Sequence, residues 1–68
     1  MQDLAADIDA AGFQIEHNEQ GKIFLKGFDN LTIAWKMFNE KNRDVSCSYV
    51  HFLSALQYLA DLENAFEL

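Results

Sequence analysis

Hydrophobic positions along this chain follow two rhythms, and the places where the rhythm changes mark the elements. Leu4, Ile8 and Ala11 fall at helical spacing, with Ala5 beside them. Asp3 suits the positive end of a helix and Gly12 suits its stop. The pattern predicts a helix over residues 2–11. Phe13, Ile15 and His17 then alternate with Gln14 and Glu16, which marks a half-buried strand. In "NEQGK" both Asn18 and Gly21 tolerate positive φ, so a turn is expected there. Lys22 to Phe28 reads as a second strand, and residues 13–28 as a hairpin.

The next stretch, "NLTIAWKMF" at residues 30–38, fits both rhythms. Taken in twos, Leu31, Ile33, Trp35 and Met37 share one side, as in a strand. Taken in threes and fours, Leu31, Ala34, Trp35 and Phe38 share one side, as in a helix. Asp29 and Asn30 suit a tight primed turn, and Thr32, Ile33 and Trp35 favour strands. On the other side, Asn30 is a good helix cap and "KMFNEK" a good helix former. The strand is preferred. "NEKNRD" follows as a polar connection. From about Ser46 to Phe66 the chain is expected to be helical, capped by Ser46 or Ser48. Ser54, Gln57, Asp61 and Asn64 form its polar stripe, and Phe52, Leu53, Leu56, Leu59 and Ala60 its apolar side.

These elements predict one α+β domain over residues 1–68: an N-terminal helix, a three-stranded antiparallel meander and a long C-terminal helix, in two layers. The alternative order is α-β-β-α-α. In the meander, Phe13, Ile15, Ile23, Leu25, Ile33 and Trp35 form the buried face, with Trp35 against the last helix. The opposite face carries Gln14, Glu16, Phe24, Lys26, Phe28, Thr32, Ala34, Lys36 and Phe38. The α-β-β-β-α order and the length resemble the double-stranded-RNA-binding domain, in topology alone. That resemblance would imply contact with a phosphate backbone. The start of the last helix, "DVSCSYVHF", has no lysine or arginine for it.

Composition narrows the setting. A chain of 68 residues buries only about 60% of the surface its unfolded form exposes, so its core is small. Half of the residues are hydrophobic, enough to fold rather than stay disordered. Cys47 is the only cysteine, which excludes an internal disulfide and fits a reducing compartment. "MQDLAADIDAA" is acidic and weakly apolar, unlike a signal peptide. No apolar run approaches the roughly 20 residues that span a bilayer. A cytoplasmic protein without membrane contact is expected, and its compactness suggests a prokaryotic or phage source.

The net charge of -6 is uneven. Residues 1–19 hold Asp3, Asp7, Asp9, Glu16 and Glu19 and no base. All five bases (Lys22, Lys26, Lys36, Lys41, Arg43) fall in residues 20–44, against Asp29, Glu40 and Asp44, and residues 45–68 hold acids only. Such a balance disfavours direct contact with nucleic acid and favours a basic partner, or simply solubility.

Candidate chemistry is sparse. Cys47 and His51, four apart on the expected last helix, are half of a zinc site at best. Ser46, Ser48, His51 and Asp44 include the residue types of a nucleophilic triad, but no elbow glycines flank the serines. Neither an enzyme nor a metal or other cofactor is expected. Two functions remain. The first is a protein-protein interaction module that docks on a partner, or forms a homodimer, through an apolar face of Phe24, Lys26, Phe28, Lys36 and Phe38. The second is an acidic inhibitor that blocks a basic, nucleic-acid-handling protein with Asp3, Asp7, Asp9, Glu16 and Glu19. In size and charge that second picture is similar, as a class, to phage-encoded nucleic-acid mimics such as anti-CRISPR proteins, and to bacterial immunity proteins.

Overall fold

The computed structural model describes the backbone of residues 3–66 and the side chains of residues 3–63. Helix α1 spans Leu4–Ala10. Asp3 caps it, its Oδ1 accepting from the Ala6 N–H at 3.3 Å. Ile8 is buried, and Leu4 and Ala5 pack against the core beside it. The helix stops before Gly12, whose φ of +82° is costly for any residue with a Cβ. Strand β1 (Ile15–His17) pairs antiparallel with β2 (Ile23–Leu25), matching Ile15 with Leu25, Glu16 with Phe24 and His17 with Ile23. Both strands are shorter than the sequence suggests. The turn between them uses Gly21 at φ +81°, whereas Asn18 keeps a negative φ. Asn18 contributes through its side chain instead, accepting from the Gln20 and Lys22 N–H groups at 2.9 Å each. Ile15 and Leu25 turn inward; Glu16 and Phe24 turn to water.

The ambiguous stretch is a helix, so the sheet has two strands and not three. Helix α2 spans Leu31–Lys41. Asn30 is extended (φ -155°, ψ 165°) and its Oδ1 accepts from the Ile33 N–H at 3.0 Å. Asp29 and Asn30 therefore form no primed turn. The chain reverses at Gly27 (φ +91°), where the Phe28 N–H donates to the Leu25 carbonyl. The faces expected for a third strand are exchanged. Ala34 and Phe38, assigned to the outer face, are 0% and 1% exposed, while Ile33, assigned to the inner face, is 46% exposed. Trp35 does reach the last helix, but half-buried and from a helix. The physical reason is burial. A strand would leave Phe38 in water, whereas a helix brings Leu31, Ala34, Trp35 and Phe38 to one side and uses the Asn30 cap. With the third strand goes the topological resemblance to the double-stranded-RNA-binding domain. The order is the alternative α-β-β-α-α, with a 3-10 turn at Arg43–Val45 before the last helix.

Helix α3 spans Tyr49–Phe66. Ser48 caps it, its Oγ accepting from the His51 N–H at 3.2 Å. Phe52 and Leu56 are buried, and Ser54, Gln57 and Asp61 line the wet side, as their spacing predicts. Asn64, the fourth residue of that stripe, has its side chain outside the described residues. Helices α2 and α3 are clasped at Cys47. Its carbonyl accepts from Trp35 Nε1 at 2.8 Å and from Asn39 Nδ2 at 3.0 Å, and its N–H donates to Asn39 Oδ1 at 3.0 Å. The Trp35 ring meets Tyr49 edge-on at 5.5 Å.

The core is built on phenylalanines from separate segments. Phe13, between α1 and β1, lies 5.7 Å from Phe28, 6.1 Å from Phe52 and 6.4 Å from Phe38, centroid to centroid. Phe38 and Phe52 join α2 to α3 at 5.7 Å. Phe38→Ala is expected to cost about 3–5 kcal/mol, comparable to the whole stability of so small a core. Ile33→Ser should stay within about 0.5 kcal/mol, as exposed changes do. Urea unfolding of the two variants separates the arrangements: in a third strand, Ile33 would be the costly position.

Candidate functional site

The structure dismantles the expected apolar face. Phe38 is buried in the core, and Phe28 is half-buried against Phe13. Lys36 sits on an exposed side of α2 and not on a neighbouring strand. Only Phe24, 41% exposed, and Lys26 remain together on the outer side of the hairpin. Phe24 rims a groove of about 340 Å³ between β2 and the start of α2. Phe28, Leu31 and Tyr49 line it, and one charge of each sign, Lys22 and Asp29, stands at its edge.

The five expected carboxylates divide between two places. Asp3 and Asp9 are exposed on or beside α1, while Glu16 and Glu19 lie on the hairpin, with Glu16 opposite Phe24. Asp7 is half-buried. Its Oδ2 is covered and accepts no hydrogen bond among the described residues, so it is not part of an exposed ridge with Asp3. What the fold adds is Glu63. Helix α1 packs along α3, and β1 also reaches α3. A crevice of about 190 Å³ opens between them, with Asp9 and Glu63 at its edge and Ile8, Phe13, Ile15, Leu59 and Leu62 as its walls. Glu63 and Asp9 come from opposite ends of the chain, and only the packing of α1 on α3 joins them.

The candidate chemical groups are occupied or apart. Cys47 precedes α3, so it shares no helix face with His51. Its thiol is pushed up by burial, which keeps it protonated and unreactive near neutral pH. The Ser48 hydroxyl is engaged as a helix cap. Among the described residues, no three of His, Cys, Asp and Glu stand close enough together to hold a metal ion. No helix among them is long and apolar enough to cross a membrane.

Two outcomes follow from these environments. Cys47 should be alkylated by iodoacetamide more slowly than a free thiol at pH 8, with the difference abolished in denaturant, because its raised pKa leaves less thiolate at that pH. Equal rates in both states would show an open, unperturbed thiol. Asp7→Ala should stabilise the fold by roughly 1 kcal/mol, since it removes a covered oxygen that has no hydrogen bond among the described residues and improves helix propensity. A loss of similar size by thermal melting would show that this carboxylate has a partner.

No family model matches the chain, and no curated protein or solved structure matches it either, so its function has to be read from the surfaces described above.

Proposed function

We propose that this protein is a non-enzymatic interaction module whose acidic side receives a basic protein partner. The observation that carries the proposal is the separation of charge. The α1 and α3 segments bring acids and no base to the sides of their crevice, and every base lies in residues 20–44. Such a field speeds and selects the encounter with a positive surface. A partner that handles nucleic acid carries that kind of surface, and occupying it would inhibit the partner. Apolar association is the second reading, favoured by the exposed Phe24 ring at the rim of its groove.

The test is capture of partners from the source cells by the wild type and by the variant Asp3→Asn/Asp9→Asn/Glu16→Gln/Glu19→Gln. All four positions are exposed, so the variant should fold. A partner held at low salt, lost at high salt and bound about tenfold more slowly by the variant fits the acidic side. A partner indifferent to salt and to the variant, but lost on Phe24→Ser, would replace it with the apolar reading.

A further inference from the structure

The crevice between α1, β1 and α3 has a specific composition. Its floor is apolar and continuous with the core, since Ile8 is buried and Phe13, Ile15 and Leu59 pack on the buried cluster. Leu62, on the same wall as Leu59, is 40% exposed. Among the described residues, the ionisable groups that line it are both carboxylates, Asp9 and Glu63, from α1 and α3. The groove beside Phe24 lacks this bias, because Lys22 and Asp29 oppose each other there.

Resting on the acidic side as the receiving surface, we infer that this crevice is the anchor point for a basic amphipathic segment of the partner. One large aliphatic side chain of that segment fills the space over Ile8 and Leu59. Lysines or arginines a helical turn to either side meet Asp9 and Glu63. An apolar anchor in a pocket with charges at its rim is how an amphipathic helix commonly docks. A polar polycation would satisfy the carboxylates but leave the apolar floor wet. A purely apolar helix would fill the floor and leave the carboxylates at its rim without counter-charges. A second copy of this chain is disfavoured as the occupant, because each copy carries a net charge of -6.

The probe is a synthetic amphipathic Leu/Lys helix, compared with a Gly/Lys peptide of equal charge. Binding is followed by methyl NMR of the folded chain. The Leu/Lys peptide should shift the Leu59 and Leu62 methyl signals. Asp9→Asn/Glu63→Gln should weaken it about tenfold, and so should Leu62→Ser, with circular dichroism unchanged in both variants. If the Gly/Lys peptide binds as tightly and Leu62→Ser changes nothing, the anchor is overturned while the acidic surface stands. If neither peptide binds, both fail. Shifts of the same methyls with protein concentration alone, accompanied by dimers in sedimentation, would assign the crevice to a second copy and overturn the inference. So would a crevice already filled in the free protein by the chain's own last residues.

Discussion

The ring of Phe13 holds this fold together. It belongs to no regular element, yet it touches phenylalanines from α2, from α3 and from the turn after β2. A two-stranded hairpin is marginal on its own, and helices of this length are little better in water. Each becomes stable by laying an apolar side against the others, and the Phe13 cluster is where those sides converge. Edge-on and tilted ring contacts add to the area the rings bury. Phe38 and Phe52 then bring α2 to α3, and the clasp of Trp35 and Asn39 on the Cys47 backbone sets the angle of the connection.

That constraint also shapes the surface. Because the core takes in Phe13, Phe28, Phe38 and Phe52, the aromatic rings left most exposed among the described residues are Phe24 and Tyr58. Burying α1 against α3 brings acids from both ends of the chain to one crevice. The bases remain on the segment that forms β2, α2 and the 3-10 turn. A small core and a crevice lined by Asp9 and Glu63 are thus two results of one packing arrangement.

Local chemistry was legible wherever a single residue decides a boundary. Ser48 caps α3, Gly12 and Gly21 take the positive φ that their positions demand, and the polar stripe of α3 shows its face, while Asp3, expected inside the first turn of α1, is in fact its cap. The inward side of the hairpin followed from alternation alone. Residues 30–38 were different. Leu31 and Trp35 are four apart, so they share a side in a strand and in a helix alike, and only Ala34, Phe38 and Ile33 tell the two apart. The Asn30 cap pointed to the helix, but Thr32 and Ile33 are good strand formers, and propensity could not break the tie.

By itself, then, the sequence determined a small α+β domain with helices at each end, a central hairpin, one unpaired thiol and a charge divided between its segments. These follow from periodicity, caps and composition, which act within a few residues. Only the tertiary structure decided that α2 replaces a third strand, that Phe38 and Phe28 pack in the core, that Asp7 is half covered, and that Glu63 and Asp9 line one crevice. Each of these depends on which distant side chain a residue meets. A residue's own neighbours do not carry that information, because burial is settled when the elements dock and not when they form.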